Sequence, residues 1–108
     1  MTEFVLTYRT PPDYVGSPDA LAVWDEWFDS LGRNLIDRGN PVFVRKTLGN
    51  CDTETTLGGY SLIKADDLKA AVALAEGCPV LNEGGGVEVG ELTILNRGTT
   101  RAGKPREG

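Results

Sequence analysis

The stretch from Leu57 to Pro79 constrains the fold more than any other, because a β-strand there is predicted to pass directly into a helix. Two glycines open the stretch, and Tyr60–Lys64 is a short run of β-prone residues. Asp66 is placed to cap the helix that follows, and Gly77 and Pro79 are suited to end it. The apolar residues of that helix recur along one face: Leu68, Ala71, Val72 and Ala75. The sequence therefore predicts a strand–helix unit in the second half of the chain.

A strand and a longer helix are predicted before this unit. Thr2–Arg9 alternates around apolar positions and is predicted to be the first strand. Ser17 is the expected N-cap of the first helix, which is predicted to run to about Arg38 and to stop at Gly39 and Pro41. Its expected buried stripe, with Trp27 at the margin, comprises Leu21, Trp24, Phe28, Leu31 and Leu35.

Two further strands complete the pattern. Val42–Leu48 is predicted to be the second strand, joined as a hairpin to the strand of the central unit. Val87–Leu95 is predicted to be the last strand, with a bulge at Gly90 where its apolar parity changes. The order β-α-β-β-α-β predicts an α+β, ferredoxin-like sandwich, in which a four-stranded antiparallel sheet carries two helices on one face.

Apolar residues lie on both faces of the predicted strands. Val5 stands between Phe4 and Leu6 in the first strand, and Ile63 follows Leu62 in the strand of the central unit. Two helices cover only one face, so we expect a homodimer that packs through the helix-free sheet face. The alternative is a monomer with a few exposed apolar side chains.

Charge argues against nucleic acid and membranes as partners. The 108 residues carry a net charge of −5, and all of the excess negative charge lies before residue 97. An acidic surface is unsuited to phosphate backbones, and no apolar run is long enough to span a bilayer. Residues 1–96 are predicted to be one domain, and the basic segment 97–108 is expected to be a flexible tail, with contact to an acidic partner as the alternative.

The sequence indicates neither a metal site nor a cofactor. Its two cysteines, Cys51 and Cys78, have no metal-binding spacing and are too few for a disulfide framework. The chain has no histidine, which removes the commonest general base and most zinc sites. No signal segment is visible, so a cytoplasmic location is expected.

The chain resembles the YCII-related domain family, in the branch named for a DGPF motif. The residues that carry the likeness are 57–68, Ala70, Ala71 and Ala75, and 86–92. The resemblance implies a dimeric α/β barrel of ferredoxin-like subunits. It also implies that catalytic members pair a His of the first helix with an Asp after the second strand. Here Trp27 or Phe28 matches the His, the DGPF signature is missing, and Asp52 is nearest to the Asp.

Asp52 and Trp27 are two of the candidate site residues. Asp52 is the one plausible general base, although an Asp in a polar loop more often makes an Asx turn. Trp27 is a candidate wall of an aromatic pocket, or else a core or interface residue.

Tyrosine and arginine side chains supply the other candidates. Tyr8 and Tyr60 are expected to share a sheet face, either to orient a ligand or as ordinary sheet packing. Arg9 and Arg45, both expected on strands, are candidates to hold a carboxylate, or else pair with glutamates of the last strand.

Two functions follow from these residues. The first is a non-catalytic or vestigial YCII-like domain for small-molecule binding and dimerisation, with Tyr8, Trp27, Arg45 and Tyr60 as the expected ligand site. The alternative is a cofactor-independent isomerase, lyase or oxygenase that acts on small aromatic or lactone-like compounds, with Asp52 as its acid or base. The missing histidine favours the first.

Overall fold

The computed structural model describes residues 1–95, so the tail predicted at 97–108 lies outside the described residues. The strands and helices, in chain order, are β1 (Thr2–Thr10), α1 (Pro18–Leu31), β2 (Leu35–Asp37), β3 (Thr56–Ala65), α2 (Leu68–Ala75) and β4 (Gly86–Glu91). Short 3₁₀ turns cover Gly32–Asn34 and Pro79–Asn82. The sheet order is β2-β3-β1-β4, with every neighbouring pair antiparallel. The predicted α+β, ferredoxin-like architecture is therefore confirmed.

Alternation along the two central strands creates the core. Phe4, Leu6 and Tyr8 of β1 and Ile63 of β3 are buried on one face. Both helices contribute to the same cluster, through Trp27, Phe28 and Leu31 of α1 and Ala71 and Ala75 of α2. The helices thus cover one face of the sheet, as the alternation predicts.

Helix α1 begins where predicted but ends about two turns early. Ser17 Oγ accepts a 3.1 Å hydrogen bond from the Ala20 amide, which confirms the N-cap. Gly32 closes the helix with a φ of 54°, a conformation that glycine adopts without strain. The prediction that the helix runs to Arg38 is wrong, and Leu35 starts β2 instead of continuing the helical stripe.

The predicted second strand at Val42–Leu48 is also wrong. Val42 donates one 3.0 Å backbone hydrogen bond to Gly58, and the chain then leaves the sheet. Val44 and Leu48 are highly exposed, so their alternation with polar residues reflects no buried face. Residues 38–55 form a long connection without a regular element, and the second strand is the short edge segment β2.

Strand β3 passes directly into helix α2, as predicted, but the N-cap of α2 lies one residue later than expected. Asp67, and not Asp66, caps α2: its Oδ1 accepts a 2.8 Å hydrogen bond from Ala70 N. Of the predicted apolar face of α2, Leu68 and Val72 remain partly exposed. The face that contacts the core is therefore made mainly of alanines, together with Leu74.

Strand β4 ends at Glu91 without the predicted bulge. Gly90 pairs with Val5 and Glu91 with Phe4 in uninterrupted register. The change of apolar parity after Gly90 reflects the end of the strand, so the predicted bulge is wrong. A register shift occurs instead at Tyr8 and Arg9 of β1, opposite β3.

Within residues 1–95, no helix has both the length and the apolar character required to cross a membrane.

Candidate functional site

A cavity of about 160 Å³ opens beside the C-terminal end of β1. Its floor is the end of β1, one wall is α1, and the other wall is the segment 38–45, which we call the cleft segment. The described lining residues are Tyr8, Thr10, Tyr14, Gly16, Leu21, Trp24, Phe28, Arg38, Gly39, Asn40, Pro41, Val42, Phe43, Arg45, Gly58, Gly59 and Tyr60. The lining is mainly apolar, as is usual for small-molecule sites.

Aromatic rings form the wall on the α1 side. Tyr8 and Trp24 meet edge to face, with ring centroids 4.9 Å apart and planes at 79°. The Trp24 and Phe28 centroids are 5.8 Å apart, since one helical turn separates these residues on α1. The Arg38 guanidinium carbon lies 4.6 Å from the Phe28 centroid, a cation–π distance. The cavity therefore offers edges and faces of several rings to a flat ligand.

The Tyr8 hydroxyl is hydrogen-bonded inside the protein and not free towards the cavity. It donates a 2.8 Å hydrogen bond to Ser61 Oγ, and Ser61 donates a 2.5 Å hydrogen bond to the Arg38 carbonyl. Burial raises the pKa of Tyr8 above its usual value, although the Ser61 hydrogen bond acts in the opposite direction. Tyr8 is thus a neutral phenol that contributes a ring surface and links β1 to the cleft segment.

Glycines allow the cleft segment to lie directly against β3. Gly39 has a φ of 75°, and a Cβ built there would lie 1.8 Å from the Tyr60 carbonyl oxygen. A Cβ on Gly59 would lie 3.0 Å from the Asn40 carbonyl oxygen and 3.3 Å from Pro41 Cα. Any larger residue at these positions would push the second wall of the cavity away from the sheet.

Two arginines are the charged side chains among the described lining residues. Arg38 forms an ion pair with Asp25 of α1. Arg45 Nη1 donates a 2.9 Å hydrogen bond to the Val42 carbonyl, which holds the arginine against its own segment. The described lining contains no carboxylate, and the chain has no histidine, so an ordinary general base is missing from the cavity wall.

One carboxylate lies directly behind the aromatic wall. Trp24 Nε1 donates to both carboxylate oxygens of Glu83, at 3.2 Å each. Burial raises the pKa of Tyr14, and the neighbouring Glu83 raises it further through its charge and a hydrogen bond. Glu83 therefore fixes the orientation of the Trp24 indole.

Three of the four predicted ligand residues border this cavity, and one does not. Tyr8, Arg45 and Tyr60 are among the lining residues. Arg45 lies on the cleft segment and not on a strand as expected. Trp27 instead lies between the helices, where its Nε1 donates a 3.3 Å hydrogen bond to the Leu74 carbonyl. Trp27 is therefore a core residue, and Trp24 occupies the position in the cavity wall that was expected for Trp27.

The two tyrosines do not share a sheet face. Tyr60 pairs with Thr7, whereas Tyr8 pairs with Gly59, so the side chains of Tyr8 and Tyr60 point to opposite faces. Only Tyr8 belongs to the buried core cluster. The expectation of a shared face is wrong. Tyr8 of β1 and Tyr60 of β3 would share a face if they paired, but the register of the two strands places Tyr60 one residue away, opposite Thr7.

Asp52 lies in an exposed Asx turn away from the cavity lining. Its carboxylate accepts hydrogen bonds from the Glu54 amide at 2.9 Å and from the Thr55 hydroxyl at 2.7 Å. These two bonds lower the pKa of Asp52. Arg9 donates to Thr55 at 3.1 Å and 2.9 Å and, in the described part of the chain, makes no ion pair with a glutamate of β4. The expected pairing of Arg9 across the sheet is therefore wrong.

The two cysteines lie in different environments. Cys78 is buried in the core cluster, and desolvation raises the pKa of its thiol to about 12, whereas Cys51 is exposed. Cys78 is thus a small core residue and not an activated nucleophile. No group of three potential metal ligands occurs within residues 1–95.

The sequence did not indicate Tyr14 and Arg38 as site residues. It placed Trp24 in the core stripe alone, whereas Phe28 was both a stripe residue and, through the family resemblance, a match for the missing His. The available signal was the spacing of Trp24 and Phe28, which places two large rings on one helical face. Arg38 carried no such signal, because its position depends on the early end of α1.

Comparison of the chain with protein-family models, with curated proteins and with solved structures gave no match.

Proposed function

We propose that the chain is a non-catalytic, YCII-like domain that forms a homodimer and binds a small organic molecule in the cavity between α1, β1 and the cleft segment. The single observation that carries the proposal is an aromatic-walled cavity whose described lining offers no carboxylate. Enzymes that work without a cofactor need a positioned acid or base, which this lining does not supply. The ferredoxin-like topology is the one that the resemblance to the YCII-related family implies.

The face of the sheet opposite the helices supports the homodimer. Val5 and Leu62 pair directly in the register, and Tyr60 pairs with the neighbouring Thr7, so these side chains form one patch. Neither helix covers this face, because both pack with the core cluster on the other one. A second copy that packs through the same patch would bury it by two-fold symmetry.

A fluorescence titration of the full chain tests ligand binding at this site. Trp24 lines the cavity and Trp27 does not, so the two indoles form a matched pair of reporters. Benzyl alcohol, as a small aryl probe, is expected to change the emission of the wild type and of Trp27→Phe. The response is expected to be lost in Trp24→Phe. A response lost only in Trp27→Phe, or no saturable response in the wild type, would contradict binding in this cavity.

A cofactor-independent enzyme is the second candidate, and the placement of Glu83 is what favours it. The Glu83 carboxylate lies 3.2 Å from Trp24 Nε1, one ring away from the cavity. A shift of the indole would bring that carboxylate to a bound aromatic or lactone-like compound. Turnover that is detected in the wild type and lost in Glu83→Gln would favour the enzyme over the binding domain.

A further inference from the structure

We propose that the ligand of this cavity is a small aromatic carboxylate, with its ring against the aromatic wall of Tyr8, Trp24 and Phe28 and its carboxylate on the guanidinium of Arg45. This inference rests on the proposed binding function and adds the chemical class of the ligand. It follows from the size, the charge and the hydrogen-bonding capacity of the cavity.

The size of the cavity selects a ligand built on a single ring. The cavity measures about 160 Å³. Apolar cavities of about 150 Å³ admit benzene, whereas drug-sized ligands occupy about 300–1,000 Å³. The edge-to-face packing of Tyr8 on Trp24 leaves ring surfaces against which a further flat ring stacks.

The charge of the lining selects an anion. The chain as a whole is acidic, with a net charge of −5, yet both charged side chains of the described lining are arginines. Asp25 neutralises Arg38, and Arg38 lies over the Phe28 ring. Arg45 has no carboxylate partner within residues 1–95, so its charge is available to a ligand.

The donors of Arg45 match a carboxylate. A guanidinium carries five N–H donors, and the structure assigns one nitrogen of Arg45, Nη1, to the Val42 carbonyl at 2.9 Å. That bond holds the side chain beside the cavity, and the remaining donors form a fork for two carboxylate oxygens. The Tyr8 hydroxyl, by contrast, is already bound to Ser61 and offers the ligand no free donor.

Glu83 fixes the direction in which such a ligand binds. Its carboxylate is held at Trp24 Nε1 and repels a negative group from that side of the indole. The ligand ring is therefore expected at the aromatic wall, with its anionic group directed to the cleft segment. A cationic aryl compound would prefer the opposite orientation, towards Glu83.

Three probes of similar size test the charge preference: benzoate, benzyl alcohol and benzylammonium, each titrated by calorimetry at pH 7 and low salt. Benzoate is expected to bind up to about tenfold more tightly than benzyl alcohol, because its carboxylate accepts charge-assisted hydrogen bonds from Arg45. Benzylammonium is expected to bind most weakly. Added salt is expected to reduce the preference for benzoate, since the contact is partly exposed.

Variants of Arg45 locate the contact. Arg45→Gln is expected to reduce benzoate affinity to the level of benzyl alcohol and to leave benzyl alcohol unchanged. Arg45→Lys is expected to retain part of the preference, because it keeps the charge and loses the fork. Arg33→Gln removes the same charge from an exposed residue outside the lining and is expected to change neither affinity.

The outcomes separate this inference from the function on which it rests. Equal binding of the three probes, or a preference for benzoate that survives Arg45→Gln, would overturn the carboxylate site and leave an aryl-binding cavity in place. Tighter binding of benzylammonium would overturn it in favour of a Glu83 contact. Failure of all three probes to bind would overturn both this inference and the proposed function.

Discussion

Tyr8 and Ser61 are joined inside the core by a 2.8 Å hydrogen bond that crosses from β1 to β3. Ser61 is fully buried, and its hydroxyl in turn donates a hydrogen bond to the Arg38 carbonyl at the start of the cleft segment. One small polar side chain therefore ties the sheet to the segment that closes the cavity. Buried donors and acceptors that lose a partner are costly, so this relay is a point where the fold is sensitive to substitution.

Ser61→Ala is expected to destabilise the protein more than Tyr8→Phe. The first change leaves the Tyr8 hydroxyl and the Arg38 carbonyl without their partner, which costs about 1–3 kcal/mol. Tyr8→Phe removes only the hydroxyl that donates to Ser61 and costs about 0.5–1.5 kcal/mol. Urea unfolding measures both. Ser30→Ala is the control: Ser30 is exposed and its hydroxyl bonds to the Trp27 carbonyl one turn earlier in its own helix, so a change within about 0.5 kcal/mol of wild type is expected. Equal effects of Ser61→Ala and Ser30→Ala would contradict the relay.

Gly39→Ala is expected to open the cavity and to destabilise the fold. The new Cβ would lie 1.8 Å from the Tyr60 carbonyl oxygen, and the positive φ adds strain, for a total of about 2–5 kcal/mol. Gly49→Ala is a matched control, because its φ is 71° but a Cβ there meets no atom within 4 Å. Unfolding experiments should give only about 1–2 kcal/mol for the control. If the two variants lose the same stability, the cleft segment does not lie against β3.

Alkaline pH is expected to destabilise the protein through Cys78. Burial raises the pKa of this thiol from 9.0 to about 12, so above pH 9 the unfolded chain loses a proton that the folded chain keeps. The free energy of unfolding then falls as pH rises, by at most about 1.4 kcal/mol per pH unit from this group. Tyr8, whose pKa is also raised, contributes in the same direction above pH 10.

Stability curves at pH 8, 9 and 10 check this slope. Cys78→Ala is expected to flatten it, because the variant has no buried thiol. Cys51→Ala removes an exposed thiol, keeps Cys78 and is expected to retain the wild-type slope. A Cys78→Ala variant as pH-dependent as the wild type would show that the thiol is not the cause.

Leu62→Arg is expected to convert the proposed homodimer into a monomer. Leu62 pairs with Val5 on the face of the sheet that neither helix covers, and a charge placed there is costly to bury at an interface. Light scattering after gel filtration measures the mass. Val23→Arg makes a similar change at an exposed position of α1 and is expected to leave the dimer intact. A wild-type protein that is monomeric at high concentration would refute the dimer itself.

Asp52→Asn is expected to leave ligand binding unchanged. The Asp52 carboxylate bonds to the Glu54 amide and the Thr55 hydroxyl and lies outside the described cavity lining. An asparagine keeps one acceptor for this turn, so the loop is expected to persist. Calorimetric titration of benzoate into the variant measures the effect, with Arg45→Gln as the responsive comparison. A loss of affinity in Asp52→Asn comparable to that in Arg45→Gln would place this loop at the site.

Local signals were sufficient for some of the elements. Ser17 is identifiable as a cap because its hydroxyl acts within one turn, and the strand–helix unit ending near Gly77 is identifiable from its own periodicity. The end of α1 differs from the prediction because Gly32 and Gly39 are both possible stop signals, Pro41 favours the later one, and Leu31 and Leu35 share a helical spacing. Local chemistry alone therefore favours the wrong glycine.

The sequence by itself determined the element order, the N-caps of both helices to within one residue, and the apolar alternation that sends Tyr8 into the core. Each of these depends on residues within a few positions of one another. Only the tertiary structure decided that Leu35–Asp37 is the edge strand, that Trp24 and not Trp27 lines the cavity, and that Arg45 borders it. Those outcomes depend on contacts between residues that are distant in the chain. No local pattern specifies the partners of such contacts, as the meeting of the cleft segment with Gly58 and Gly59 illustrates.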